Sequence, residues 1–385
     1  MCSPECGIRE HASINRRTAD ARRDGSAYHA AETNPWSRCR LDPVLIVAFL
    51  AVFTVLLFDY TNGFHDAANV VATVIASRAM TPARAVILVA TFEFLGPLLG
   101  GTAVANTIGG FIDLSDLPAL MSLGVLLAGL FGAIGWNLIT WWRGIPSSSS
   151  HALVGGLAGA VVAAAGVDHV VWGFADWLQG GPLRGVAKVL LALILSPILG
   201  FAVGYLIHKL SSFIFRAARP SLNRNLRRAQ YVTTAGLAFS HGANDAQKSM
   251  GILTLVLVLG GFIPSFQVPV WVMLACATAM TLGILSGGWR IVRTLGFAVY
   301  RVRPLHALDS QLTSAAVILS ASLAGAPVST SHVVATSIMG IGASEHPHRV
   351  RWGKAGEIAM TWIITIPASA AAGALIFLII GPLLD

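Results

Sequence analysis

The chain has 385 residues, of which 55% are hydrophobic and only 11% charged, and its mean hydropathy is +0.70. A soluble domain carries about 25% charged residues, so this composition excludes a soluble globule. The formal net charge of +8 is gathered in a few short stretches, which argues for loop orientation at a lipid surface and against a nucleic-acid partner.

In chain order, residues 1–42 are polar, with bases and acids nearly balanced and no apolar core of a signal peptide. They are expected to be a disordered leader. Cys2, Cys6, Cys39 and Cys276 make no metal-binding pattern. Apolar segments then run over 43–58, 83–108, 117–141, 152–166, 186–207, 233–239, 252–261, 268–285, 312–325, 333–341 and 358–383. A spanning helix needs about 20 apolar residues, and several of these are too short. They stop at Gly, Pro, Asn or Ser clusters, a pattern that predicts broken helices and re-entrant hairpins buried in protein. The expected fold is all-α and polytopic, with about 10–12 membrane segments.

Two motifs recur. NGFHDAAN, starting at Asn62, matches HGANDAQK, starting at His241, so that Gly63 meets Gly242, Asp66 meets Asp245 and Ala67 meets Ala246. GIPSSSSH, starting at Gly144, matches GAPVSTSH, starting at Gly325, so that Pro146 meets Pro327, Ser148 meets Ser329, Ser150 meets Ser331 and His151 meets His332. Both recur in the same order at almost one separation, the sign of a duplicated half. The halves are 43–208 and 231–385, joined by a basic stretch at 209–230 that holds Lys209, Arg216, Arg219, Arg224, Arg227 and Arg228 and no acid.

Equivalent loops have opposite charge. The bases Arg290, Arg293, Arg301 and Arg303 face Asp113 and Asp116 of the first half; Arg349, Arg351 and Lys354 face Asp168 and Asp176. By the positive-inside rule the repeats are inverted, with the central basic loop cytoplasmic and both termini outside a multi-pass plasma (inner) membrane. Inverted repeats with interrupted helices point to a secondary transporter with a midplane site.

The chemistry then falls on a few residues. Asp66 and Asp245 sit in apolar surroundings, where an ionised carboxylate costs at least ~2.5–3.5 kcal/mol. Such acids face a cavity or bind a cation. Asn62, Asn69, Asn244 and Gln247 add neutral oxygens, a set that suits Na+, although the same aspartates serve equally as proton carriers. Ser148, Ser149 and Ser150, and Ser329, Thr330 and Ser331, follow a proline at a helix start. Free N–H groups and the positive dipole end there favour an oxyanion; ordinary capping is the plainer reading of either cluster alone. His151 and His332 read as local hydrogen-bonding groups with no His or Cys nearby in sequence. Glu93 is an acid in an apolar run, with a packing role as plausible as a functional one. Lys248 either pairs with Asp245 one turn away or helps neutralise an anion. No Walker-type motif calls for ATP, and no bound cofactor is expected beyond a co-transported Na+ or H+.

NGFHDAAN, HGANDAQK, PSSSSH and PVSTSH together resemble the duplicated signatures of the inorganic phosphate transporter (PiT) family, and SGGWRIVRTLG at 286–296 is similar to a stretch of its bacterial members. The resemblance implies an inverted-repeat helical fold carrying phosphate with Na+ or H+. It places Asp66, Asn69, Asn244 and Asp245 on the cation, with Glu93 beside them, and the Ser/Thr clusters on phosphate. His65 stands where many members have Asn, Gln311 where many have Glu, and Lys248 where the first repeat has Asn. Some members carry sulfate, so a sulfate permease is the alternative. An intramembrane hydrolase pairing Asp with His ranks lower because every candidate residue has a twin in the other half, and an anion channel because it would need no acidic residues beside its pore. A symmetric homodimer is compatible with the chain, which marks no interface.

Overall fold

The computed structural model describes residues 42–384 except 288–290, 293, 295, 297, 298 and 301. The polar leader, Cys2, Cys6, Cys39, Arg290, Arg293 and Arg301 lie outside the described residues. Among the described residues there is no β-strand, and an isolated bridge joins Ile112 to Val170. The helices are α1 (Pro43–Ala76), α2 (Pro82–Leu99), α3 (Ala103–Gly109), α4 (Ala119–Arg143), α5 (Ser149–Ala165), α6 (Phe174–Leu178), α7 (Gly185–Ile214), α8 (Leu222–Leu259), α9 (Val270–Ser286), α10 (Pro304–Leu323), α11 (Thr330–Glu345) and α12 (Trp352–Ile380).

Among the described residues five stretches are long and apolar enough to cross a membrane: α1, α2, α4, α7, and α12 with its short extension to Leu383. Their apolar side chains point outward, as at Phe49 and Phe53 of α1, Ile194 and Leu206 of α7, and Ile363 and Leu378 of α12, all exposed. The polar groups are inside: Asp59, Asn62, His65, Asp66 and Asn69 of α1 are buried. Apolar surface outside and polar groups within is the arrangement a lipid solvent selects. The chain is an all-α polytopic membrane protein.

The breaks fall elsewhere than the apolar segments suggested. Sequence 43–58 was expected to end at the first polar motif, and 233–239 and 252–261 to flank the second as separate pieces. Instead α1 runs unbroken for 34 residues and α8 for 38, each carrying its motif in mid-helix. Several of the motif side chains bond to neighbouring helices, as Asn69 does to Ser331 and Asp245 to Thr330, while the backbone of both helices stays helical through the motifs. The true interruptions come at the serine motifs, and they repeat. Gly144 (φ 68°) and Gly325 (φ 64°) are left-handed and stop α4 and α10, a conformation that favours glycine. Pro146 and Pro327 follow, and then Ser148 and Ser329 cap α5 and α11. The segment 83–108 also divides, at Gly100 and Gly101, into α2 and α3. In the basic stretch, 209–214 completes α7 and 222–230 opens α8, leaving only 215–221 between helices.

Packing repeats as well. In the first half α1 packs on α4, and in the second α8 packs on α10. Helix α9 crosses α1 as α2 crosses α8. The last helix of each half leaves its own hairpin: α7 packs on α11, and α12 on α5. The two halves therefore interlock.

The crossings explain the motif glycines. A methyl on Gly63 would overlap the Met280 carbonyl of α9, and one on Gly242 would overlap the Glu93 carbonyl of α2. Close backbone approach through small residues is how membrane helices pack. Replacing Gly63 by Val should force α1 and α9 apart and cost about 1–3 kcal/mol. A lowered melting temperature in detergent, with Gly236→Ala (where a methyl meets open space) as the unaffected control, checks this.

Candidate functional site

Both aspartates lie against the serine helices. Asp66 on α1 accepts from Ser331 Oγ at 3.1 Å through Oδ1 and from Ser149 Oγ at 3.2 Å through Oδ2. It therefore touches the start of α11 and the start of α5 at once. Asn69, one turn on, donates to Ser331 Oγ at 2.8 Å. Asp245 on α8 accepts from Thr330 Oγ1 at 3.0 Å. Ser149 begins α5; Thr330 and Ser331 begin α11. The first N–H groups of a helix have no intrahelical acceptor, so two donor-rich termini converge on two carboxylates.

Lys248 settles between these groups. Its Nζ donates to Asp245 Oδ1 at 2.6 Å, to Ser150 Oγ at 2.5 Å and to the Val328 carbonyl at 2.9 Å. The two expectations for it are not exclusive: it neutralises Asp245 and places a positive charge against the first serine cluster. Asp66 has no lysine or arginine partner among the described residues; its ionic neighbour is His65, with Nδ1 2.8 Å from Oδ1. His65 Nε2 in turn lies 3.3 Å from Thr140 Oγ1 and 3.3 Å from Ser147 Oγ. The two halves thus answer the same electrostatic demand with different residues.

Glu93 is not an isolated acid. Its carboxylate bonds to His241 Nδ1, and His241 Nε2 lies 3.4 Å from Asp245 Oδ2. All three are buried. One ligand atom from each of Asp66, His241 and Asp245 falls within 4.8 Å of the others. His241 was not singled out from sequence. Its signal was its place in the alignment: an ionisable side chain where the first repeat has Asn62. Asp59 was missed too. It is fully buried and accepts from Ser249 Oγ at 2.9 Å, and its only sequence sign is an acid closing the 43–58 apolar run.

Several expected residues are engaged otherwise. Ser148 Oγ accepts the His151 amide at 3.2 Å and Ser329 Oγ the His332 amide at 3.4 Å, so these two are N-caps. Ser150 donates to the Val328 carbonyl at 3.2 Å. Gln247 ties α8 to the α2–α3 break, accepting from Val104 N at 2.9 Å and donating to the Gly100 carbonyl at 3.2 Å. Gln311 joins Thr73 and Thr233 at 3.2 and 2.5 Å, linking α10 to α1 and α8. Asn244 donates to Ser322 Oγ at 2.9 Å and to the Ala326 carbonyl at 3.2 Å. The amide oxygens of Asn244 and Asn62 are buried without a protein donor.

The histidines closing the serine motifs correct their sequence reading. Far from lacking a histidine neighbour, His151 and His332 face each other with ring centroids 4.6 Å apart, and His332 stacks on Trp362 at 3.8 Å. Chain distance hid a contact that forms where the starts of α5 and α11 meet.

The Lys248–Asp245 pair is testable by itself. Removing one partner of a buried pair leaves an uncompensated charge, at about 3–5 kcal/mol. Lys248→Met should lower the melting temperature sharply, and Lys248→Met with Asp245→Asn should recover most of that loss. Equal destabilisation in single and double variants would show the pair to be uncoupled.

The model of the phosphate transporter family matches residues 62–373. A "probable low-affinity inorganic phosphate transporter" of Bacillus subtilis (strain 168) is 43% identical over 344 residues, covering 88% of this chain and 99% of that one. A protein of the same description from Rhizobium meliloti (strain 1021) is 40% identical over 336 residues, covering 86% and 96%. Among solved structures, one titled "The sodium-dependent phosphate transporter" superposes with a TM-score of 0.77 at 22% identity, covering 88% of this chain and 99% of that one, which establishes a shared fold. These relatives are transporters and not enzymes, and the span and level of identity make this chain a member of the phosphate transporter family.

Proposed function

We propose that the chain is a secondary active transporter that imports inorganic phosphate by cation symport. The observation that carries this reading is the direct bonding of Asp66 to Ser149 and Ser331 and of Asp245 to Thr330. A hydroxyl has one proton to give. While it donates to a carboxylate it is not available to an oxyanion. A cation that occupies the carboxylate weakens that bond, frees the hydroxyl and cancels the negative field that repels phosphate. Cation and phosphate then share one coupling free energy, and each raises the affinity for the other.

Phosphate is assigned to the starts of α5 and α11, where N–H groups, dipoles and the hydroxyls of Ser149, Ser150, Thr330 and Ser331 converge. Ser148 and Ser329 hold those termini in shape as caps, and Lys248 contributes a fixed positive charge through Ser150. The coupling cation is assigned to Asp66 first, because Lys248 already balances Asp245. Asn69, Asn244 and Asn62 complete an oxygen-rich set of the kind Na+ takes, and the sodium dependence named for the structural relative favours Na+ over H+. Glu93 and His241 hold Asp245 in place. His65 positions Asp66, while His151 and His332 pack behind the serine motifs.

Alternating access follows from the interlocked halves, 43–208 and 231–385, rocking as inverted repeats about this site. The basic 209–230 stretch lies on the cytoplasmic face of the plasma membrane.

Phosphate uptake into proteoliposomes under an imposed Na+ gradient, an imposed pH gradient, or neither, tests the reading. Wild-type protein should accumulate phosphate against its gradient when Na+ is imposed, and Asp66→Asn should abolish that accumulation. Gradient-driven accumulation that survives in Asp66→Asn would overturn the cation assignment. Sulfate driven in place of phosphate would overturn the substrate.

A further inference from the structure

A second polar cluster lies away from the transport motifs, where the ends of α7, α10 and α11 meet. His208 Nδ1 donates to Asp309 Oδ2 at 2.6 Å, and Ser211 Oγ donates to the other Asp309 oxygen at 2.8 Å. Both His208 and Asp309 are buried. The carboxylate fixes the proton on Nδ1 and leaves the Nε2 lone pair outward, where the Ser212 hydroxyl lies at 3.3 Å. The His306 ring sits 5.0 Å from that of His208, centroid to centroid. Its Nε2 is 3.1 Å from Glu345 Oε2. Glu345 is held in turn by Tyr300 Oη at 2.7 Å and by the Arg303 guanidinium. One ligand atom from each of His208, His306 and Glu345 lies within 4.8 Å of the others. The group borders a cleft of about 380 Å3 beside the 215–221 turn, also lined by Ser212 and Arg219.

We propose that His208, His306 and Glu345 form a binding site for a divalent transition metal of the Zn2+ class, separate from the transport motifs. The donor set decides the metal type. Two imidazoles and a carboxylate, with room left for water, match Zn2+. Na+ and Mg2+ prefer oxygen throughout. The Asp309–His208 bond is the outer partner that metal-binding histidines use to fix tautomer and orientation. Tyr300 and Arg303 do the same for Glu345. On binding, the proton now on His306 Nε2 moves to Nδ1, so the Arg303 amide, 3.2 Å from Nδ1, loses its acceptor and the Arg303 guanidinium, 3.4 Å from Nε2, swings aside; the imidazole–metal bond offsets that loss. The metal ties α7 of the first half to α10 and α11 of the second. It sits at the far end of the helix that begins with Thr330 and Ser331.

Zn2+ titration of the purified full-length protein in phosphate-free detergent buffer, followed by calorimetry, tests the site. The transport cluster of Asp66, His241 and Asp245 also has metal-compatible spacing, so the variants must separate the two. One Zn2+ site should vanish in His208→Gln, weaken about 10–100-fold in Asp309→Asn, and persist in Asp66→Asn, which alters the transport cluster without orphaning Lys248. Should His208→Gln elute or melt unlike the wild type, Glu345→Gln takes its place with the same expected loss. Absence of Zn2+ binding by the wild type, or unchanged binding in a folded His208→Gln or Glu345→Gln, would overturn the proposal.

Discussion

A carboxylate buried in a membrane protein must be met by a proton, a cation or several hydrogen-bond donors, because lipid and packed side chains offer it none of the solvation it has in water. Asp66 and Asp245 are both in this position, buried on α1 and α8. What surrounds them follows from that demand. The serine helices bring hydroxyls to them. Lys248 and His241 bring positive or proton-bearing groups to Asp245, and His65 does so for Asp66. The glycines at 63 and 242 let the crossing helices come close enough for these contacts to form.

In the proposed mechanism the same contacts let the site couple two ions. Hydroxyls bonded to carboxylates are withheld from an incoming anion, and the carboxylates repel it. Both obstacles are removed by a cation. The asymmetry between the halves matters here. Lys248 pairs with one carboxylate and also reaches Ser150, whereas Asp66 touches both serine helices and has no lysine or arginine partner among the described residues. In the proposed mechanism one half is thus a fixed counter-charge and the other is the variable one.

The helical class was legible in the composition, and the two repeated motifs in the sequence itself, because repetition at a nearly constant separation does not depend on tertiary contact. What was not legible depended on partners far apart in the chain. Hydropathy broke α1 and α8 at their polar motifs, since a one-dimensional average cannot see that Asn69 meets Ser331 or that Asp245 meets Thr330. The serine-motif breaks carried a local signal, glycine then proline then serine, and there the chain does stop and restart. Gln247 stood out by its place in the second motif and Gln311 by the resemblance; their bonds to the backbone at Gly100 and Val104 and to the hydroxyls of Thr73 and Thr233 could not be read from sequence. The approach of His151 to His332 and the insertion of His241 between Glu93 and Asp245 arise only when the two halves interlock.

The central claim is that the cation and phosphate bind one coupled site through Asp66 and the serine hydroxyls. Its most direct test is phosphate affinity measured by calorimetry on the purified protein, with Na+ varied at constant ionic strength and then with pH varied without Na+. Phosphate binding should tighten as Na+ rises, and Asp66→Asn should bind phosphate with an affinity independent of Na+. Phosphate affinity that stays the same with and without either cation in the wild-type protein would contradict it.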